Sequence, residues 1–456
     1  MGTLFSALSI SVGSLEAQQA GLETTTNNLA NMNTPGYCRQ RPVLEESDPV
    51  VQGNLAFGNG VTLAGIESLR DSLLNVQIND ETQQQSKSQA FVDTMNQLQP
   101  VFPTDTSGIG AAITSFFQSL NGLAANPTDS SLRQSVLSTA NALASSFNQA
   151  AGQLNSMRSN LDLTVQQNVQ QVNRITAEIA SLNGQLAKTS STGRDYGSFL
   201  DQRDALVQQL SGLIDVSVMQ NGSSLTLTTR QGAALVVDGE SFNLTTALNS
   251  SDGTQHVYTQ GGDITGSISG GKLGAVLEAR DQTIPSMLGQ LDDLASGLVT
   301  NLNAAHKLGY DLNGLQGGNL FNPVTGPGAA TNIAVAFSDP NLIAASSDAN
   351  SGGNGNIANL TAVATQQISN GMTPIQAYGN VVFQVGSAIS NANGELTASN
   401  NILQQLQQQQ QSVSGVSLDE EASNLLLYER AYQAAARAIS TVDQMLQTAL
   451  SMGGST

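Results

Sequence analysis

Two histidines and one cysteine are all this 456-residue chain offers in side chains that ionise near neutral pH or act as strong nucleophiles. A metal centre or an acid–base catalyst needs such groups at short, regular offsets. His256 lies in a strand-like segment and His306 near a helix end, and neither has a ligand-type neighbour at a usable offset. Cys38 stands beside Arg39, which would favour a thiolate. With no histidine or second cysteine close in sequence it reads as a small, half-buried residue. Gly270-Gly271-Lys272 and Gly353-Asn354-Gly355 are glycine-rich but lack the strand–turn–helix setting of a phosphate loop. Asp201-Gln202-Arg203-Asp204 is an acid–base cluster, and on a helix its expected role is a solvated or inter-helix salt bridge. No catalytic constellation, metal-ligand set or cofactor motif emerges, so the chain reads as a non-enzyme without a cofactor.

The composition narrows the class. Hydrophobic residues make up 39% and tryptophan is absent, so a core exists but is rich in Ala, Leu and Val. Only 11% of residues are charged, well under the usual level of about a quarter, and Gln, Asn, Ser and Thr fill the polar surface. A formal net charge of −19 argues against nucleic acid and against anionic membrane surfaces as partners. One cysteine permits no internal disulfide, which fits a reducing compartment or an export route that does not rely on disulfides. The first charged side chain is Glu16, so no basic stretch of a cleavable signal peptide precedes the start. No apolar run is long enough to span a membrane.

If not chemistry, then packing must be the chain's business, and its two ends show how. From Val416 to Leu450 the apolar residues Leu425, Tyr428, Tyr432, Ala435, Ile439, Val442, Leu446 and Ala449 recur in steps of three and four. Ser417 with Glu420 forms a capping-box pattern, and Asp419, Glu420 and Glu421 suit the positive end of the helix dipole. Such a seam calls for a partner helix. At the other end Leu8, Leu15, Leu22 and Leu29 recur every seven residues, with Leu4 and Val12 on the same face. The expected assembly interface is therefore Leu8, Leu15, Leu22 and Leu29 with Leu425, Tyr432, Ile439 and Leu446.

Between the ends the pattern is mostly helical. Asn33-Thr34-Pro35-Gly36 stops the first helix, and the chain then runs extended to about Gly65, with a turn at Gly58-Asn59-Gly60. Residues 68–99 read as a helix with Leu69, Leu73 and Val76 on one face, interrupted at Asp80 and restored by Phe91, Met95 and Leu98, and 109–125 as a short helix carrying Ile113, Phe116, Phe117 and Leu120. Residues 129–187 hold a three/four rhythm from Leu132 to Leu186, with Thr128 or Asp129 as cap and Gly152 as a point of interruption. Unbroken, that helix would reach about 90 Å and impose a rod. A turn-rich loop at Ser190–Gly197 and a helix over 198–213 follow. Period-two alternation then marks a small β insertion over 214–272, with a turn at Asn221-Gly222. Helix returns over 273–307, kinked at Pro285. An irregular strap covers 309–355, and helices span 360–372 and 374–411, the last ending in a glutamine tract.

The fold expected is mainly α with an inserted small β domain: an elongated rod of long coiled-coil-like helices whose N- and C-terminal helices pair. Residues 1–35 with 416–456 form the inner, polymerisation domain. Residues 36–213 with 273–415 form the rod with its extended N-terminal segment, and 214–272 the β domain.

Asn27-Asn28-Leu29-Ala30-Asn31, Thr34-Pro35-Gly36-Tyr37, Arg39-Gln40 and, further on, Gly58-Asn59-Gly60-Val61 and Leu69-Arg70-Asp71 resemble the N-terminal signature of bacterial flagellar axial proteins. The run from Gln411 to Glu421, Phe199-Leu200-Asp201-Gln202-Arg203-Asp204 and Ser115-Phe116-Phe117-Gln118-Ser119-Leu120 are similar to the hook-associated junction branch of that family. The resemblance covers most of the chain. It implies a structural subunit that self-assembles into a helical ring or tube at the hook–filament junction, beside the hook subunit and the adjacent junction protein. It also implies extracellular location by type III export, with a cytoplasmic chaperone on the C-terminal helix. A hook or rod subunit is the alternative within the family. A secreted coiled-coil stalk with a ligand-binding β domain is the alternative outside it. One departure is visible: between Phe321 and Ile357 there is room for a strap but not for the further outer domain that relatives often carry.

Overall fold

The computed structural model describes residues 2–52, 55–103, 107–190, 197–221, 224–350 and 352–453. Helix α1 spans Gly2–Asn31 and ends where Thr34 and Tyr37 donate back to Asn31 and Thr34, with Gly36 at φ +80° supplying the left-handed turn. An antiparallel ribbon follows, β1 (Gln40–Glu46) against β4 (Val61–Ser68), broken by a bulge at Val43/Leu44. The hairpin β2 (Val50–Gln52) and β3 (Leu55–Phe57) extends it. Asp71 caps helix α2 (Ser72–Leu98) by accepting from the Leu74 N–H.

Helix α3 (Gly108–Ala125) precedes α4 (Ser130–Ser190). Asp129 is the cap of α4, its carboxylate accepting from the Ser131 and Leu132 N–H groups at 2.7 and 3.1 Å. The 61 residues of α4 run unbroken past Gly152, about 90 Å of helix, so the rod expectation holds. Helix α5 (Gly197–Ser211) leads into a four-stranded antiparallel sheet in the order β5 (Val216–Asn221), β6 (Ser224–Thr229), β7 (Ala234–Val237), β8 (Glu240–Ser241). A second sheet is formed by β9 (Thr245–Leu248), β10 (Gln255–Thr259) and β11 (Gly262–Asp263), with β10 in the centre. The residues expected in the loop between Ser190 and Gly197, and Gly222 of the Asn221-Gly222 turn, lie outside the described residues.

Helix α6 (Gly271–Glu278) passes through a π-helical turn at Ala279–Thr283 into α7 (Ile284–His306). The helix stays continuous at Pro285, and a π-turn lies in the turn before it, where the proline interrupts the regular i→i−4 bonding. The strap carries the single turns α8 (Ala329–Asn332) and Pro340–Leu342. Helix α9 (Ile357–Ala362) is shorter than the helix expected over 360–372. It gives way to a 3-10 turn at Val363–Thr365, and a tight turn with Asn370 and Gly371 at positive φ bridges Ser369 to Met372. Helix α10 (Pro374–Ser414) begins with a Thr373–Gln376 capping box and includes the glutamine tract, and α11 (Leu418–Gly453) closes the chain.

A single hydrophobic cluster runs from Met95 on α2 through Phe116, Phe147 and Phe321 to Val385 on α10, and into the sheets at Leu227, Val236 and Val257. The β insertion is therefore not a free appendage: its inner face completes the core along the C-terminal half of α4. The stripe expected on α2 holds in its second half, where Met95 and Leu98 are buried, and is displaced in its first. Leu73 is 67% exposed, and the buried face is Leu74, Ile78, Val92, Met95 and Leu98 with polar Asn79, Gln83 and Ser88. The helix lies between α10 and α6, and Gln83 donates to the Val216 carbonyl, so its buried band follows its neighbours rather than its leucines.

Irregular segments are fastened by buried amides and guanidinia gripping backbone. Asn173 both donates to the Leu244 carbonyl and accepts from the Leu244 N–H, at 2.8 Å each. Asn183 holds the Leu225 and Asp238 carbonyls, and Asn303 pairs with the backbone of Leu320 and Phe321. Arg133 donates to the carbonyls of Pro127, Pro340, Asn341 and Ile343. Arg280, fully buried, leaves the π-turn to join Asp162 on α4 and the Gln255 carbonyl on β10 while chelating Asp281. Each bond to backbone among these satisfies a group that a strap or sheet end would otherwise bury unpaired.

Candidate assembly interface

Helices α1 and α11 pair and bring the chain ends together. Along α11 every residue of the expected seam is sheltered: Leu425, Tyr428, Tyr432, Ile439, Val442, Leu446 and Ala449 are half-buried and Ala435 is buried. On α1 the leucines are not the deepest face. Leu8, Leu15 and Leu22 are half-buried and Leu29 is 37% exposed. The buried face is Ala17, Ala20, Gly21, Thr24, Thr25 and Asn28. A Cβ on Gly21 would lie 2.7 Å from the Tyr428 ring, and one on Gly13 would lie 2.7 Å from the Val61 carbonyl oxygen. Helix α1 is thus gripped from two sides, by α11 and by β4. Close approach of backbone requires small residues at both contacts, which turns the leucines to the flanks. Large apolar side chains stay outside the pair: Phe5 and Val12 on α1, Met32 just past its end, and Leu426, Leu427, Met445, Leu450 and Met452 on α11. One helix against one helix and a ribbon leaves much of each amphipathic surface open.

The residues following α1 knot this pair to the ribbon. The Asn28 amide oxygen accepts from the Gln40 N–H at 2.9 Å and from the Tyr37 hydroxyl at 2.8 Å. Its amide nitrogen donates to the Gln40 carbonyl at 2.8 Å and to Glu421 at 3.1 Å. Arg39 spans two acids of α11, Nε to Glu421 and Nη1 to Glu420, both at 2.6 Å. Its own N–H donates to the Ser414 carbonyl and its carbonyl accepts from Leu69. Glu421 is 1% exposed, so it is a buried carboxylate held by Arg39 and Asn28 rather than a solvated first-turn charge. Sequence reasoning assigned it to the helix dipole. The available signal was a pair of arginines, Arg39 and Arg41, and an acidic triplet at opposite ends of a chain with few charges.

A second ionic joint ties this unit to the rod. Arg70 Nη2 donates to Asp201 at 2.5 Å and to the Gly197 carbonyl at 2.9 Å, and Nη1 donates to Asp204 at 2.6 Å. Burial raises the pKa of both acids, with Arg70 opposing. Asp201 also accepts from the Cys38 N–H. Cys38 is buried, and its thiol is pushed up to about 12, first by burial and then by Asp201 against the pull of Arg70. It is an inert packing residue at neutral pH, as its sequence setting suggested. Arg203 turns inward to Asn183 at 3.2 Å. These groups border a cleft of about 1380 Å³ between the ribbon, α2, α5 and the end of α10.

The histidines have contrasting settings. His256 lies between two carboxylates, Nε2 to Asp252 at 2.9 Å and Nδ1 to Asp263 at 2.5 Å. Burial works against its charge, but the hydrogen bonds to Asp263 and Asp252 prevail and its pKa rises. His306 is wholly buried against strap backbone, and burial lowers its pKa. Among the described residues no three His, Cys, Asp or Glu side chains are grouped to hold a metal ion, and no helix is long and apolar enough to cross a membrane.

Three family models match the chain. Residues 95–321 match the flagellar hook-associated protein FlgK helical domain, 8–37 the flagella basal body rod protein, and 407–452 the flagellar basal body rod FlgEFG protein C-terminal region. The two rod-type matches fall on the paired helices and the knot, and the helical-domain match on the rod together with the β insertion. Flagellar hook-associated protein 1 of Bacillus subtilis strain 168 is 31% identical, with 98% of each chain covered. The protein of that name from Salmonella typhimurium is 26% identical over 98% of this chain and all of its own. The flagellar hook junction protein FlgK from Burkholderia pseudomallei has the same fold, with a TM-score of 0.68, 20% identity, 74% of this chain and all of that one covered. With a 31% identical relative matched over nearly its whole length, the chain belongs to the flagellar hook-associated protein 1 family.

Proposed function

We propose that this chain is a structural subunit of the bacterial flagellum that joins hook to filament, outside the cell, by packing rather than by turnover. The observation that carries the mechanism is the terminal pair: α1 and α11 shelter one face against each other and leave Phe5, Leu427, Leu450 and Met452 outward. In the working division, residues 1–35 with 416–456 polymerise, 36–213 with 273–415 form the rod, and 214–272 the β insertion. Copies stack their terminal pairs head to tail into a ring or tube, using Leu8, Leu15, Leu22 and Leu29 on one helix and Leu425, Tyr432, Ile439 and Leu446 on the other. The low charge of these helices permits like subunits to approach. The neighbours are the hook subunit below and the adjacent junction protein above. A cytoplasmic chaperone covers α11 until the chain is exported through the flagellar channel. The ion-paired acids around Arg70 and Arg39 serve as joints and carry no reaction.

Leu446→Asp tests this reading, because it places a charge in a seam that assembly completes. In a strain lacking the native gene, the variant should be exported yet leave hooks without filaments, while the purified rod keeps its helical content. Filaments of normal number on Leu446→Asp cells would overturn the role given to this seam.

A further inference from the structure

His306 closes α7 at a crossing of two stretches of strap. Its Nδ1 lies 2.9 Å from the Gly318 carbonyl oxygen, which only accepts, so Nδ1 carries the hydrogen. Its Nε2 accepts from the Ala344 N–H at 2.9 Å. The two contacts define the neutral Nδ1–H tautomer. Asn356 fastens the same crossing from the side of α9, donating to the Ala305 carbonyl at 3.0 Å and the Ala344 carbonyl at 2.8 Å. Phe337 covers the ring at a centroid distance of 5.8 Å, and Gly317 passes so close that a Cβ there would lie 3.0 Å from Nδ1. The imidazole is the peg through which α7 holds both edges of the strap.

We infer that His306 is an acid-released lock: a proton on Nε2 drives the Ala344 edge off α7 and opens the strap over 309–355. The reason is donor arithmetic. Protonated Nε2 would point a second N–H at the Ala344 N–H, two donors face to face in a fully buried site. One of them must then lose its partner, at the cost of a buried unsatisfied or charged group. The charged group that bears on the ring is Asp311, on the strap, and it also bears on Arg133 across the same crossing. Gly318, Phe337, Ala344 and Asn356, the other neighbours, are uncharged. Asp311 therefore offers partial compensation, and burial outweighs it.

The direction of the pH response follows. The folded strap holds His306 neutral and its pKa falls below the ordinary 6.5, whereas the opened strap returns the ring to water. The lock is complete above pH 6.5 and weakens progressively below it, as the opened form takes up a proton that the closed form refuses. The core of α3 and α4 carries no such group and stays closed over the same range.

Hydrogen exchange on the full chain, corrected for intrinsic rates, reads this directly. Between pH 7.5 and 5.5, protection of peptides within 309–355 should fall, approaching about tenfold per pH unit below 6.5, with no change in α3 and α4. His306→Gln, which cannot be protonated, should abolish that pH dependence. The same pH dependence in His306→Gln, or a wild-type strap indifferent to pH, would overturn the lock. Nitrogen NMR of the histidine-labelled wild type decides independently of whether the variant folds, with His256→Gln assigning the two rings. His306 should show the Nδ1–H tautomer and titrate below 6.5. The other tautomer, or a midpoint at or above 6.5, would sink the inference.

Discussion

The rod and the terminal pair use the same low-charge vocabulary and reach opposite ends. In the rod the helices enclose one another, and α4 is buried along its length by α3, α7 and the sheets, with Leu143, Phe147, Leu154, Val165 and Ile179 all inaccessible or nearly so. In the terminal pair two helices meet along one face, most seam residues are half-buried, and polar bonds at Asn28, Arg39 and Glu421 set the geometry. The rod buries a continuous core within one chain, although Leu163 on α4 and Phe383 on α10 stay exposed. The terminal pair is positioned by charge and amide contacts and keeps apolar surface to spare. A subunit that must be rigid on its own and adhesive at its ends is served by that division.

The largest test of this contrast is Phe116→Ala. Phe116 is fully buried, edge-on to Phe117 and Phe321 at 5.4 and 6.1 Å, and its loss should cost the rod about 3–5 kcal/mol. Denaturant unfolding monitored by helix content would read it. A loss below about 1 kcal/mol would mean that the rod tolerates cavities like a loosely packed interface, and the contrast would collapse.

Next in size is Arg39→Ala. It leaves Glu421, buried in the knot, without its strongest partner, a local loss of about 1–3 kcal/mol. Because the knot fixes only the terminal pair, the rod's unfolding midpoint should not move, while amide protection in 20–31 and 418–432 should fall. If the rod's midpoint fell as far as for Phe116→Ala, the two regions would be one cooperative unit.

How much of this could be read in the sequence follows the same division. Periodicity disclosed α4 to within three residues at each end, because a rod helix reports its burial through a regular stripe. It disclosed the sheltered face of α11 for the same reason. It misplaced the deep face of α1, since Ala17, Ala20, Gly21 and Thr24 are chosen for close backbone approach and carry no hydrophobic signal. It found Met95 and Leu98 at the end of α2 but misplaced the earlier part of that face, where polar Asn79, Gln83 and Ser88 are buried among neighbours distant in sequence. The Arg39–Glu421 and Arg70–Asp201 pairs are separated by most of the chain or by the length of α4, and no local pattern connects such partners. Thr34-Pro35-Gly36 was legible as a stop, but the knot it enables, with Asn28 bonding four groups, is a tertiary fact.

Gly21→Ala probes the terminal contact more gently. The added methyl gains helix propensity of about 1 kcal/mol but meets the Tyr428 ring, and overpacking of this kind costs about 1–3 kcal/mol. The net effect should be a modest weakening of α1 against α11, seen as faster exchange around Ala20 and Ala435 with the rod unaffected. Unchanged or slower exchange would show that Tyr428 moves aside freely, and that the small-residue face of α1 is not what sets the approach.

The smallest effect belongs to the place where the rod imitates the terminal knot. His256 is held by Asp252 and Asp263 at the rim of the β9–β10–β11 sheet, a charge clamp laid over a sheet that already has a core residue in Val257. Protonated, the ring donates from both nitrogens, one to each carboxylate. Deprotonated, it keeps one donor, and the other nitrogen turns a lone pair toward an anion. Its pKa is raised, so the clamp is complete below the ordinary 6.5 and is lost as pH rises through the higher folded value. The acids limit it from below. Burial opposes their charge, but the bonds from His256 and Thr254 bring Asp252 down from 3.8 to about 2, so its share fades only as pH falls below 3.8 toward 2. Hydrogen exchange over 245–263 should therefore quicken slightly from pH 6 to 9, after correction for intrinsic rates, in the sense opposite to the strap at His306. Both carboxylates are partly solvated, so salt should blunt the effect and Asp263→Asn should shrink it. A large, salt-insensitive loosening would mean that the sheet depends on its charges as the terminal knot does, and the line between core-held rod and charge-held ends would have to be redrawn through the β insertion.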